Sequence, residues 1–271
     1  MQKTTGDIWL FVPGTRPDLL DKTFGCGADA PVIDWEDTVA AEMKSEVRRQ
    51  TVRRLDGEQR PVWLRINGEE SGFFADDLKV LGQISSLAGV FLPKVQTASG
   101  VEAAAEACGK PVIAMIEDSR AWLGLADIAA AEGLSALTYG CLDLLAQVGA
   151  DRESEAGRML LDRLRADLVL HSAAKGLHPP VEGIYPELKN DEGYREYLQF
   201  GRDLGFRGTL CLHPRQVAVA RDVQQGSDGR LLFAARVLAE YERAGGEVFA
   251  LDGKMIDKPV IEEARRLLQS V

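Results

Sequence analysis

Along this 271-residue chain, short apolar runs end repeatedly on residues able to do acid–base or metal chemistry. In order, the run ends carry Pro13-Gly14, Asp34 with Glu36 and Asp37, Arg65 with Asn67, Lys94, Glu117 with Asp118, Gly140 with Asp143, and His213. One such residue would mean little, but five adjacent run ends in the same phase concentrate acids and cations in a small volume. Glu117 and Asp143 stand 26 residues apart (117 to 143), one strand–helix–strand unit, which places them on neighbouring strands. Carboxylates held that close repel unless a cation lies between them. Oxygen-only ligands suit a hard ion, Mg²⁺ with Mn²⁺ as its substitute, which takes one or two carboxylates and keeps several waters. No HExxH, HxxE or Cys/His cluster offers a zinc alternative. The plainer reading is that each acid caps the helix that follows it.

Arg65 is a cation pushed out of the run Val62-Trp63-Leu64. Its planar fork can grip a carboxylate or carbonyl oxygen at two points, or pair with the Asp34, Glu36 and Asp37 cluster; five donors allow both. Three acids within four residues exceed what one Mg²⁺ needs, so Asp34, Glu36 and Asp37 read as groups that orient ligands or metal-bound water. Lys44 and Arg48, in the next helix, read as solvated or paired with those acids. His213 follows Cys211 at strand spacing, which suggests a Cys–His pair or, more simply, a structural histidine before Pro214. Gly25-Cys-Gly27-Ala-Asp-Ala30 matches a GxGxxA pattern, but it ends a helix and precedes a strand, the reverse of a dinucleotide fingerprint.

The elements that must position these residues alternate along the chain. Strands are expected at Ile8–Val12, Ala30–Asp34, Val62–Ile66, Val90–Leu92, Val112–Ile116, Ala136–Tyr139, Val181–Ile184 and Thr209–Leu212. Helical patterns cover Ala41–Leu55, Gly72–Leu81, Ser99–Cys108, Leu123–Ala131, Gly157–Lys175, Tyr194–Leu204 and Pro214–Asp222. Eight near-continuous apolar strands alternating with helices predict an α/β chain, either a closed (β/α)₈ TIM barrel or an open doubly wound sheet. The count, length and even spacing favour the barrel, whose strand ends converge on one mouth. The rhythm changes after Asp222, so residues 1–222 are expected to form the catalytic barrel. Residues 223–271 are expected to form a C-terminal helical extension that packs on the barrel or covers its mouth.

The bulk composition sets limits. A chain 45% hydrophobic and 27% charged can bury a sizeable core, and its net charge of −10 argues against nucleic acid as the partner. No apolar run reaches the roughly 18 residues that span a bilayer, which argues against a membrane partner. The first seven residues lack a signal-peptide layout, and the four cysteines are scattered, so a reducing cytoplasm is the expected location.

The segments LFVPGTRPDLLDK, GADAPVIDWEDTVAAEMKSEVR, WLRIN, FLPKV, AMIED, YGCLDLLAQVG, LGFRGTLCLHPRQV and GKMIDKP resemble, in order and spacing, the citrate lyase β-subunit-like family, which includes malyl-CoA and citramalyl-CoA lyases. The resemblance implies a (β/α)₈ barrel, a homotrimer, and Mg²⁺ held by Glu117 and Asp143. It implies that Arg65 grips the keto-acid part of the substrate, that the Gly140 backbone seats its carboxylate, and that Arg16 contacts coenzyme A phosphates. Asp257 matches an acid that some relatives deliver from a neighbouring chain as general acid/base. The implied reaction is reversible carbon–carbon cleavage of a 3-hydroxyacyl-CoA such as citryl-, malyl- or citramalyl-CoA into an acyl-CoA and a 2-keto acid. Alternatives are an aldolase on a free 2-keto acid, an acyl-CoA thioester hydrolase, and a non-catalytic acyl-CoA-binding scaffold. The sequence departs from the family pattern at Gly6-Asp7, at Glu117-Asp-Ser-Arg-Ala121, at Trp122 and at Leu142, which leaves the identity of the acyl group open.

Overall fold

Valine, isoleucine, leucine and tryptophan crowd into segments too short for an amphipathic helix, and these segments pair side by side. In the computed structural model, which describes residues 8–225, 228–244 and 248–269, seven of them are parallel strands: β1 Ile8–Pro13, β2 Ala30–Asp34, β3 Val62–Arg65, β4 Leu87–Leu92, β5 Val112–Ile116, β6 Leu134–Tyr139 and β7 Thr209–Cys211. Their order is β6-β5-β4-β3-β2-β1-β7, so the last strand pairs with the first, Ile8 opposite Thr209.

The expected strand Val181–Ile184 is not a regular strand. It makes one isolated parallel bridge, Glu182 to Thr209, yet it still completes the ring. Val181 N donates to Leu137 O of β6 (2.8 Å), and Glu182 O accepts from Leu210 N of β7 (3.1 Å). Pro179 and Pro180 just before it have no N–H to give a ladder, which keeps the pairing short. The curled sheet is therefore a TIM-type barrel with a thin seam.

Alternation along the strands sorts the core into two layers. Trp9, Val32, Trp63, Phe91, Ile113, Met115, Ala136, Val181 and Leu210 fill the barrel interior. Trp9, Trp63 and Phe91 pack edge-on and tilted with centroids 5.3–5.7 Å apart. Gly89 must lack a side chain, because a Cβ there would run into the Trp63 ring. Residues of the opposite parity, among them Leu64, Leu92, Ala114 and Leu137, pack outward in one large cluster with Val47, Val101, Leu144, Leu164 and Leu168 of the surrounding helices.

Those helices are α1 Leu20–Phe24, α2 Lys44–Arg54, α3 Phe74–Leu81, α4 Ala98–Cys108, α5 Ser119–Leu123, α6 Leu125–Ile128, α7 Cys141–Val148, α8 Glu155–Lys175, α9 Asp191–Leu204 and α10 Pro214–Gln225. The expected helix Ala41–Leu55 begins as a tighter turn over Ala41–Met43, and the stretch Leu123–Ala131 is divided at Gly124. Helix α7 has no counterpart among the expected helices: it spans only about two turns, and its apolar Leu142 and Val148 stay exposed, so its apolar residues do not mark a single face.

Two compact units divide the chain, Met1–Ala220 and Arg221–Val271. In the second, α11 Asp228–Arg243 and α12 Lys258–Gln269 enclose Ala234, Val237, Ile256, Ile261 and Ala264. The antiparallel pair β8 Phe249–Leu251 and β9 Lys254–Ile256 turns at Asp252-Gly253, both with positive φ, as a tight hairpin requires. Gly6-Asp7 and the expected breaker Gly245-Gly246 lie outside the described residues. Among the described residues no helix is long and apolar enough to cross a membrane.

Candidate active site

Strand parity aims the charged residues. Asp34 lies two residues beyond Val32, Arg65 two beyond Trp63 and Glu117 two beyond Met115, so each continues an interior-facing row to the C-terminal mouth of the barrel. Asp34 is fully buried and takes a two-point grip from Arg65, with Nε to Oδ1 and Nη2 to Oδ2 both 2.7 Å. The same carboxylate accepts from the N–H groups of Glu36 and Thr38, pinning the turn that carries Glu36 and Asp37. Arg65 Nη1 reaches Asp37 at 3.2 Å and Glu36 at 3.3 Å, and the guanidinium lies over the Phe11 ring. The pairing of Arg65 with the acid cluster, open in the sequence, is thus realised.

Across the mouth stands Glu117, 6% exposed. Its Oε2 accepts from Lys94 N at 2.7 Å. Burial, only partly offset by the positive charge of Arg65, pushes its pKa up to about 8. Gly140 makes room for it, since a Cβ on Gly140 would collide with the Glu117 carboxylate. Asp143, in the first turn of α7, leaves its side chain 49% exposed.

Lys94 lies between these groups. It has φ of 49°, a left-handed conformation that costs a side-chain-bearing residue about 1–2 kcal/mol. That backbone sends its N–H to Glu117, while its ammonium contacts Glu36, lies 3.2 Å from Asp37 and 3.4 Å from Asp143. Burial opposes the ammonium charge, but the adjoining carboxylates outweigh burial and hold its pKa above the ordinary lysine value. Burial likewise raises Glu36 against the pull of Arg65 and Lys94; Asp37, despite partial burial, is drawn below the usual range by Arg65. Glu36, Lys94, Glu117, Asp118 and Asp143 line a cavity of about 400 Å³ together with Asn67, Ser71 and Gln147.

Other expectations fare differently. Asp118 is a helix cap, accepting from Ala121 N, as the plainer reading of the strand-end acids has it. Neither Glu117 nor Asp143 accepts such a bond from the helix that follows it. Arg48 pairs with buried Asp77 and not with the Asp34 group, and Asp77 also holds Asn67. Lys44 donates to the carbonyls of Trp35 and Glu36. Among the described residues Cys211 and His213 do not pair with each other: the Cys211 thiol is buried against Tyr194, and His213, beyond the end of β7, is exposed and accepts from Arg215 N through Nδ1. Arg16 is exposed and doubly bonded to Asp18. Asp257 belongs to the second unit, where it accepts from Val260 N at the start of α12. Lys94 stands at a strand end in the sequence, but its type and position there assign it no role, because a left-handed backbone has no sequence signal when the residue is not glycine.

The donors fit a hard divalent cation. They are oxygens only, one carboxyl is buried where its ionised form is poorly compensated and keeps its proton up to about pH 8, a proton a divalent cation would displace, and Glu36 Oε2 is buried without a hydrogen bond. Among the described residues no three His, Cys, Asp or Glu side chains form a ready cage, so the mouth offers two carboxylates and space for water, the manner in which Mg²⁺ is commonly held.

The model of the HpcH/HpaI aldolase/citrate lyase family matches residues 7–214, the span that carries every strand of the barrel. The chain belongs to this family. Among HpcH/HpaI relatives, a (3S)-malyl-CoA thioesterase of Cereibacter sphaeroides is 33% identical over 266 residues, covering 96% of this chain and 92% of the relative. A citrate lyase subunit beta-like protein of Mycobacterium tuberculosis is 31% identical over 270 residues, covering 98% and 96%. The crystal structure of protein CitE from Mycobacterium tuberculosis, in complex with magnesium, acetoacetate and coenzyme A, superposes with a TM-score of 0.81 at 31% identity, covering 98% of each chain.

Proposed function

We propose that this protein is a Mg²⁺-dependent lyase that cleaves, or forms, the carbon–carbon bond of a short 3-hydroxyacyl-CoA. The observation that carries this reading is the buried Glu117 carboxyl, whose ionised form has no full counter-charge in the chain, sharing one polar cavity with Asp143 at the barrel mouth. The structural likeness to a protein solved with magnesium, acetoacetate and coenzyme A supports it. A divalent ion held by Glu117 and Asp143 supplies Lewis acidity toward the hydroxyl and carboxylate oxygens of the substrate.

The remaining steps fall to the chain's own groups. Asp34 holds Arg65 rigidly, so the guanidinium is preorganised to stabilise charge growing on the keto-acid oxygen. Arg16 binds coenzyme A phosphate; the Gly140 N–H is donated to Ile116 O (3.1 Å), so the substrate carboxylate is seated by the backbone N–H groups just beyond Gly140, at the start of α7. Asp257, from its own or a neighbouring copy of a trimer, takes the hydroxyl proton. The bond between the hydroxyl-bearing carbon and the carbon alpha to the thioester then breaks, leaving a 2-keto acid and a thioester enolate. Protonation of that enolate gives the acyl-CoA.

A second reading, thioester hydrolysis, is favoured by the malyl-CoA thioesterase relative. Water then attacks the thioester carbonyl and coenzyme A leaves as the thiol. Mass spectrometry of malyl-CoA, citramalyl-CoA and citryl-CoA reactions, with Mg²⁺ and with chelator, separates the two. Metal-dependent acyl-CoA plus keto acid is the expected result, free coenzyme A with an intact hydroxy acid means hydrolysis, and no turnover of any thioester sinks both. Losing Glu117 or Arg65 should cost about 10²–10³ in rate.

A further inference from the structure

The mouth already holds a cation of its own. Lys94 Nζ contacts Glu36, Asp37 and Asp143, three carboxylates delivered by the ends of two different strands. Arg65, the other cation there, gives both ends of its fork to Asp34 and only Nη1 to the rest. For Asp143, Lys94 is the one ion-pair partner among the described residues. The backbone of Lys94 is fixed independently of its side chain, because its N–H is bonded to Glu117. The ammonium sits on a four-carbon stem that is 42% exposed, so it can leave the carboxylates for solvent while the main-chain bond to Glu117 stays in place.

We propose that Lys94 is a resident counter-cation of this site: its ammonium bridges Glu36, Asp37 and Asp143 and offsets part of their charge in the metal-free protein, and it competes with the divalent ion for Asp143. This rests on the metal reading given above. The physical basis is simple. A doubly charged ion bound to Asp143 and an ammonium 3.4 Å from the same carboxylate repel each other strongly at the low dielectric of a half-buried mouth. Three acids, Glu36, Asp37 and Asp143, face Lys94 and a single arm of Arg65, and Glu117 adds a fourth once a metal displaces its proton, so the mouth keeps enough negative charge to bind the metal when the lysine withdraws. Lys94 therefore lowers metal affinity, and in exchange it keeps the metal-free mouth from being torn by its own charge.

The test is Mn²⁺ binding, by electron paramagnetic resonance or calorimetry, to the full-length wild type, Lys94→Gln and Lys94→Arg. Lys94→Gln should bind Mn²⁺ about tenfold more tightly than wild type, the order expected on removing a unit charge a few ångströms from a ligand. The same variant should melt lower than wild type in chelator and gain more from added metal, whereas Lys94→Arg should stay near wild type in both. Unchanged or weaker binding in Lys94→Gln, with wild type binding normally, overturns the proposal and leaves the metal reading intact. A wild type that binds no Mn²⁺ removes the metal reading and this proposal with it.

A measurement on the unaltered protein guards against a variant that does not fold. Acylation of Lys94 by an amine-reactive ester, followed by mass spectrometry, should speed up several-fold when Mg²⁺ is added, because the ammonium is released. Equal or slower labelling with Mg²⁺ contradicts the release.

Discussion

At the scale of single residues, the site depends on what is missing as much as on what is present. Gly140→Ala would push a methyl group into the Glu117 carboxylate. The expected outcome is a protein destabilised by about 1–3 kcal/mol whose metal affinity falls far more than its melting temperature; calorimetry that finds normal metal binding counts against the arrangement. Glu117 also predicts a pH dependence for the metal-free protein. Its unfolded carboxyl ionises near 4.5 and its folded one near 8, so between those values the folded state holds the extra proton. Stability in chelator should therefore be greatest below that window, fall as pH rises through it, and level off above. Urea denaturation of Glu117→Gln should show a flatter profile; parallel slopes for the two proteins would remove Glu117 as the source. Glu117, Asp143 and Arg65 were legible in the sequence because a charge ending an apolar strand has few places to go but the barrel mouth. The Arg48–Asp77 pair was not, since 29 residues separate its partners and only the packing of α2 against α3 joins them.

At the scale of elements, the weakest stretch of the barrel is supported from outside. Glu182, on the short bridge segment, faces outward and accepts from Tyr139 OH and from Arg165 of α8, both at 2.5 Å. Removing one partner of a buried pair leaves the other uncompensated. Glu182→Ala should therefore cost about 3–5 kcal/mol by urea denaturation, and adding Arg165→Met should recover part of the loss. A double variant no better than the single one would show that the pair does not act as a unit. The cap of α4 is a milder case: Thr97 Oγ1 accepts from Gly100 N, and Thr97→Ala should cost about 1 kcal/mol. Seven strands lay within a few residues of their expected places because parallel strands covered on both sides read as continuous apolar runs. The eighth read as a strand by composition, but hydrogen bonding decides pairing, and two prolines ahead of it limit what the backbone can donate.

At the scale of the whole molecule, the barrel and the C-terminal unit differ in how much the sequence could say. Periodicity and spacing specify a ring whose mouth gathers the acids, whereas nothing in the pattern of residues 221–271 says whether the proposed role of Asp257 is played in its own chain or in a neighbouring one. Co-expression of two inactive variants tests this. Glu117→Gln and Asp257→Asn subunits, each inactive alone, should regain turnover when co-expressed if Asp257 serves a neighbour, because some sites then combine intact copies of both residues. Activity restored in neither mixture nor parent would assign Asp257 to its own chain. The pairing of Ile8 with Thr209 has a separate consequence for how the protein is made. On the ribosome β1 emerges before the other barrel strands and soon finds β2, but its other edge stays bare until β7, which starts 196 residues later (13 to 209), has been synthesised. The nascent barrel thus carries an unpaired strand edge until its final strand is made. The last barrel strand to be translated is the one that hides it, which makes β7 the point at which the newborn chain stops being a template for aggregation.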